Sequence, residues 1–211
     1  LHNNVQREYL LYIPESYTGN DPLPVVFSLH GAAGSKESQF ELSEFDKLAD
    51  VENFILVTPE ASPTGLIPLW NQNSNPQNTD DVGFIDALIN EISGEYDVDL
   101  ERIYMAGSSN GPFMALELSC HLENRVAAVA AVKGYMLPDQ INRCDASNPT
   151  AFIQMHGTED PLVSYDGVEA TLDFWRSINQ TAVASEVFNL PDTDPYNDNT
   201  AIRYLYDNGT N

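Results

Sequence analysis

Residues Met105 to Met114 read MAGSSNGPFM, and within them Ser109 stands two residues from Gly107 on one side and two from Gly111 on the other. A serine that presents its hydroxyl from a sharp strand-to-helix turn leaves no room for side chains at those two positions, and glycine supplies the room. The apolar run RIY precedes the motif and the helix-like segment MALELSCHLE follows it. Pro112 falls in the first helical turn, where an absent N–H costs nothing, so it supports a helix start. A Ser/Gly-rich connecting loop has the same composition, but the flanking strand and helix favour a nucleophile, with Ser109 Oγ attacking an acyl carbonyl.

Two other stretches carry residues that such a nucleophile needs. After LPVVFSLH comes His30-Gly31-Ala32-Ala33-Gly34, a small-residue loop whose backbone can approach a ligand closely. It predicts an oxyanion hole built from the Ala32 N–H and the Asn110 N–H. After TAFIQMH comes Gly157-Thr158-Glu159-Asp160-Pro161, where Asp160 is placed to orient a catalytic histidine, the alternative being a turn aspartate before proline. His30 and Trp70 are the candidate substrate contacts, although large aromatics such as Trp70 and Trp175 more often sit in a core. The segment Asp192 to Asp198 resembles a calcium loop in composition, but it lacks the glycine and closing glutamate of an EF-hand, so a solvated loop is expected and no metal or organic cofactor is implied.

The base is harder to find. Of the four histidines, His2 lies at a chain end, and His121 is twelve residues beyond Ser109, a distance of about 18 Å along a helix. Only His30 and His156 fall near the strand ends that carry the other groups.

Those strand ends come from an alternating pattern. VQREYLLYI, LPVVFSLH, NFILVTP, RIYMAG, VAAVAAV, TAFIQMH, ASEVFNL and AIRYLY read as strands, several of them continuously apolar as in sheets buried on both faces. SQFELSEFDKLADV, TDDVGFIDALINEISGEY, the segment after Ser109 and GVEATLDFWRSIN read as helices. In the second of these Val82, Ile85, Leu88, Ile89 and Ile92 share a face, with Asp80 and Asp81 at the positive end of the helix dipole. The alternation predicts an α/β domain with a mainly parallel sheet covered on both faces and its chemistry at the carboxyl ends of the strands.

The 211 residues fit one domain with a full core. Their 32 acidic against nine basic side chains give a net charge of −23, a surface that repels nucleic acid and anionic membranes. The same excess opposes compaction at low ionic strength, which suits a saline habitat or an ordinary acidic secreted protein. No apolar run approaches the length of a membrane span.

LHGAAGS, LWNQNSNPQNTDDVGFIDALI, DLERIYMAGSSNGPFMALELSC and MHGTEDPLVSYDG together resemble the secreted α/β-hydrolase esterases of the polyhydroxybutyrate depolymerase and feruloyl esterase group, over about Arg7 to Trp175. The resemblance implies that Ser109 is the nucleophile, Asp160 the triad acid and the loop from His30 to Gly34 part of the oxyanion hole, with His30 and His156 as structural neighbours. It also implies a disulfide between Cys120 and Cys144, and hence export. Where that family carries two glycines, this chain has Gly111-Pro112, a departure that bears on the acyl pocket. The family's base follows a last strand after the acid, commonly in a Gly-Gly-Gly-His setting that residues 1–211 do not contain. The expectation is therefore a single α/β-hydrolase domain over residues 1–211, incomplete at its C-terminal side, lacking the last strand and the catalytic histidine, and nearly inactive by itself. The expected substrate is a small soluble ester, with a polyhydroxyalkanoate or a feruloyl or acetylxylan ester as the alternatives. A hydrolase-like binding protein without its base is the alternative from another class.

Overall fold

A computed structural model of the chain describes residues 1–64, 67–71, 79–122, 124–181, 184–193, 196, 199–207 and 209. Its strands are β1 (Tyr9–Tyr12), β2 (Leu23–Leu29), β3 (Ile55–Pro59), β4 (Pro63–Thr64), β5 (Ile67–Pro68), β6 (Val98–Ser108), β7 (Ala128–Val132), β8 (Ala151–Met155), β9 (Glu186–Leu190) and β10 (Ala201–Leu205). Its helices are α1 (Lys36–Ser43), α2 (Phe45–Glu52), α3 (Asp81–Glu95), α4 (Asn110–His121), α5 (Pro138–Arg143) and α6 (Val168–Asn179).

Six strands form one sheet in the order β1-β3-β2-β6-β7-β8, parallel throughout except for β1, which runs antiparallel to β3. The period-two alternation of strand side chains divides the sheet's apolar residues between two faces. Val25, Phe27, Leu29, Ile103, Met105, Val129 and Ala131 join one core with Phe84, Ile85, Leu88 and Ile92 of α3 and Met114, Leu116 and Leu118 of α4. The other face carries α1, whose buried Gln39 donates Nε2–H to Ser28 Oγ at 2.9 Å. Beside α2 an apolar trough of about 320 Å³ runs over this face, lined among others by Phe45, Leu48, Tyr104, Ala106, Ala130 and Ile153. Helices on both faces of a mainly parallel sheet make an α/β-hydrolase fold.

Three elements differ from the pattern read in the sequence. The expected single helix over SQFELSEFDKLADV is two, because Glu44 takes a left-handed conformation with φ 50° and breaks the hydrogen-bond ladder between α1 and α2. The segments ASEVFNL and AIRYLY do form strands, but β9 and β10 pair with each other in an antiparallel ladder, Leu190 opposite Ala201, outside the main sheet. The short α5 was not visible in the pattern; Pro138 at its first turn starts it and Gln140 caps it by accepting the Leu137 N–H. In α3, Asp80 caps the N-terminus by accepting from the Gly83 N–H at 2.8 Å.

Cys120 at the last turn of α4 is bonded to Cys144 at the end of α5, with Cα atoms 5.1 Å apart. Beside that bridge the buried Glu117 carboxylate accepts from Arg143 Nη1 at 2.9 Å, Gln140 Nε2 at 2.9 Å and His121 Nε2 at 3.0 Å. Gln140 Nε2 also reaches the Phe113 carbonyl, so α5 is clamped along the length of α4. The Glu117 hydrogen bond holds the Arg143 guanidinium above its ordinary pKa. Reducing the disulfide is expected to cost about 3 kcal/mol and to lower the melting temperature by roughly 6–12 °C. Calorimetric scans with and without reductant measure this, and identical transitions would contradict it.

Candidate active site

Ser109 follows the end of β6 and caps α4 with φ 60° and ψ −108°. That conformation is sparsely populated for a residue with a side chain and costs on the order of 1–3 kcal/mol. The neighbouring glycines are sterically required. A Cβ on Gly111 would lie 2.2 Å from the Leu29 carbonyl oxygen, and one on Gly107 would lie 2.6 Å from the Gly111 carbonyl carbon. The turn is fastened from β7, because the Ser109 N–H donates to the Val132 carbonyl at 3.0 Å. Pro112 is buried, and a Cβ on Gly134 would meet its ring at 2.7 Å. The departure from the two-glycine pattern is therefore absorbed against the loop after β7.

The loop after β2 lies against the nucleophile: a Cβ built on Gly31 would be 3.2 Å from Ser109 Cβ. Within this loop the Ala33 N–H donates to the Pro68 carbonyl and the Gly34 N–H to the Gly31 carbonyl. The Ala32 N–H has no partner among the described residues. An unspent donor one residue past the Gly31 contact with Ser109 is the kind of group a developing oxyanion can use.

Both side chains expected to touch substrate are enclosed instead, Trp70 at 2 % exposure and His30 at 1 %. Trp70 Nε1–H donates to the His30 carbonyl at 2.9 Å, and the Trp70 N–H donates to Asn110 Oδ1 at 2.9 Å. Trp70 thus ties the loop after β2 to the first residue of α4, which fixes where the Ala32 and Asn110 N–H groups stand. His30 Nε2 accepts from the Ala61 N–H at 3.0 Å, so its proton sits on Nδ1, 2.7 Å from the Gly31 carbonyl. Both ring nitrogens are engaged in holding backbone.

Asp160 follows β8. Its Oδ1 accepts from the Leu162 N–H at 2.8 Å and the Val163 N–H at 2.9 Å. These bonds, Val163 first and Leu162 next, hold its carboxyl below the ordinary 3.8. Oδ2 accepts no hydrogen bond among the described residues. β7 lies between β6 and β8, so the strand ends that lead to Ser109 and, five residues further on, to Asp160 are two spacings apart, about 10 Å.

None of the four histidines fills that gap. His156 Nε2 donates to the Val163 carbonyl at 2.8 Å, with its ring between Tyr135 and Tyr165. His121 is on Glu117 and His2 is on Asp80 at 3.1 Å. Of the acidic segment Asp192 to Asp198, positions 194, 195, 197 and 198 lie outside the described residues. Sequence reading did not single out the Trp70 brace or the Glu117 clamp. A lone glutamate in the apolar run MALELSC was the available signal for the second.

Residues 70–206 match the family described as phospholipase/carboxylesterase. A bifunctional acetylxylan esterase/xylanase of Neocallimastix patriciarum is 29% identical over 170 residues, covering 81% of this chain and 24% of that protein. A probable feruloyl esterase C of Aspergillus niger is 29% identical over 175 residues, covering 79% of this chain and 60% of that protein. This chain therefore spans about a quarter of the length of the first of these relatives and three fifths of the second. Among solved structures, an acetyl xylan esterase from Aspergillus awamori superposes with a TM-score of 0.72 at 13% identity, covering 85% of this chain and 78% of that one. A thermostable esterase superposes with a TM-score of 0.65 at 20% identity, over 82% of this chain and 48% of that one. With its elbow, its sheet order and these matches together, the chain belongs to the phospholipase/carboxylesterase family of α/β-hydrolases.

Proposed function

We propose that the protein is an esterase that works through an acyl-enzyme on Ser109. The observation that carries this reading is the strained Ser109 backbone between two glycines that steric contact requires, with the loop that holds the unspent Ala32 N–H packed against it at Gly31. Ser109 Oγ attacks the ester carbonyl as its proton passes to an imidazole, and the N–H groups of Ala32 and Asn110 receive the oxyanion. The ester C–O bond then breaks, the alcohol leaves with that proton, and water releases the acid by the same steps in reverse order. Asp160 orients the imidazole through its open Oδ2. The imidazole belongs to a histidine outside residues 1–211, because each of the four within them already holds another partner.

The substrate we favour is a feruloyl or acetyl ester carried on a xylan-type sugar, in line with the activities by which the relatives are named, rather than a polyhydroxyalkanoate. The disulfide supports export into an oxidising compartment. Residues 1–211 alone are expected to keep only the roughly 10³–10⁴-fold acceleration over water that binding and the oxyanion hole supply. The test is turnover of p-nitrophenyl acetate and methyl ferulate by this chain and by the longer polypeptide that supplies a histidine. Full activity in the 211-residue protein would transfer the base to His30 or His156, and no activity in either would overturn the esterase reading.

A further inference from the structure

Asp160 stands on the loop between β8 and the turn that starts α6, and little of that loop is packed. Gly157, Thr158, Glu159, Pro161 and Leu162 are exposed, and a Cβ built on Gly157 would meet nothing within 4 Å. The hydrogen bonds of Asp160 are local: its N–H donates to the Gly157 carbonyl at 3.2 Å, and its carboxylate accepts from Leu162 and Val163. A segment with so few buried contacts opens at low free-energy cost unless something else holds it. Its far limb is tied to the end of β8 by His156, whose Nε2–H donates to the Val163 carbonyl at 2.8 Å. Val163 is also the residue whose N–H holds Asp160 Oδ1 at 2.9 Å.

The His156 ring is seated in turn against Tyr135. Tyr135 follows β7, the strand between those that lead to Ser109 and Asp160, and its ring has neighbours from three elements. Its centroid lies 5.4 Å from that of Phe113 in the first turn of α4, edge to face, and 6.3 Å from that of His156. Gly167, at the turn before α6, completes the seat, since a Cβ there would collide with the Tyr135 ring. The elbow end of this row is anchored independently. The Ser109 N–H is held by the Val132 carbonyl, and a Cβ on Gly134 would lie 3.0 Å from the Ser109 carbonyl oxygen. From the other side, Gln154 Nε2 of β8 donates to the Gly134 carbonyl at 2.8 Å. Gly134 and Tyr135 thus join the nucleophile's turn to β8 and the loop that follows it.

We propose that Tyr135 is a positioning residue whose ring sets the Asp160 loop against the Ser109 turn by way of His156 and Val163. This rests on the esterase reading for the roles of Ser109 and Asp160, and on the contacts alone for the brace. The Tyr135 hydroxyl makes no hydrogen bond among the described residues, so the role belongs to the ring. Two measurements on the full-length polypeptide test it. The first is an NMR titration of the Asp160 carboxyl carbon, which needs no turnover. Tyr135→Phe should leave the titration where the wild type has it. Tyr135→Ala should move it up toward 3.8, as the Val163 and Leu162 N–H bonds loosen while His156 and Lys133, whose charges also lower it, stay in the chain. An unmoved titration in a folded Tyr135→Ala protein overturns the brace. The second is ester turnover. Tyr135→Ala should lower kcat by about 10² with KM unchanged, and Tyr135→Phe should keep the wild-type rate. In an Asp160→Asn background Tyr135→Ala should cost nothing further, because a residue that acts through the carboxylate then has nothing left to position. An equal loss in both backgrounds overturns the assignment, since a general packing role costs the same with or without the carboxylate. If Tyr135→Ala fails to fold, Tyr135→Leu, which leaves a smaller gap, takes its place in both measurements. If the wild-type polypeptide hydrolyses no ester, the esterase reading falls and the titration still decides the brace.

Discussion

Replacing Ser109 by alanine is expected to lower ester turnover by about 10⁶ while leaving the fold intact, in the polypeptide that carries its base. The fold survives because alanine keeps the same Cβ in the same backbone conformation, φ 60° and ψ −108°, so the strain at the turn is neither relieved nor increased. What disappears is the hydroxyl that we propose forms the acyl intermediate. The proposed oxyanion donors remain, since the Ala32 N–H and the Trp70 bond to Asn110 do not involve the hydroxyl. Steady-state rates on p-nitrophenyl esters with parallel thermal melts separate chemistry from folding. A burst of product from a well-folded Ser109→Ala protein would remove Ser109 from the mechanism.

Asp160→Asn should cost about 10⁴ in turnover. An asparagine carbonyl can still accept from the Leu162 and Val163 N–H groups, so the turn after β8 is preserved. The second oxygen is replaced by an NH₂ that cannot hold the imidazole in its working tautomer or offset its positive charge. The pH dependence follows from the sign of the shift. The folded carboxyl titrates below 3.8, so its contribution to stability is fully present above that value and is lost only as pH falls through the still lower folded value. The acid limb of the wild-type rate profile should therefore follow an imidazole, near pH 6–7, not Asp160. An acid limb near pH 4 would mean that the carboxylate itself is the titrating catalyst.

The residues that carry the site were legible because their requirements are local. Gly107 and Gly111 mark the elbow by excluding a Cβ, and Gly31 marks the place where the loop after β2 touches Ser109. The sheet was legible for the same reason, since continuous apolar runs such as ILVTP are read one strand at a time. Trp70 and His30 were assigned to substrate because composition places an aromatic near a site without saying which way it faces. Their burial is decided by partners 40 and 31 positions away in the chain, Asn110 and Ala61 respectively. The break at Glu44 and the separate pairing of β9 with β10 depend on a backbone conformation and a strand partner that hydrophobic periodicity does not encode.

Among the described residues β8 pairs only with β7, and Ile153 and Met155 are exposed on the strand. An open apolar edge is a template for another chain, and proteins commonly guard such edges with charge. Here the guard is not a lysine on the strand but the whole molecular field, with a net charge of −23 on 211 residues. Two copies approaching edge to edge must bring those fields within a Debye length, about 8 Å at 0.15 M salt. Added salt relieves repulsion inside each molecule and between molecules alike. The conditions that favour the compact chain therefore lower its colloidal barrier as well, so residues 1–211 are expected to cluster more readily as ionic strength rises.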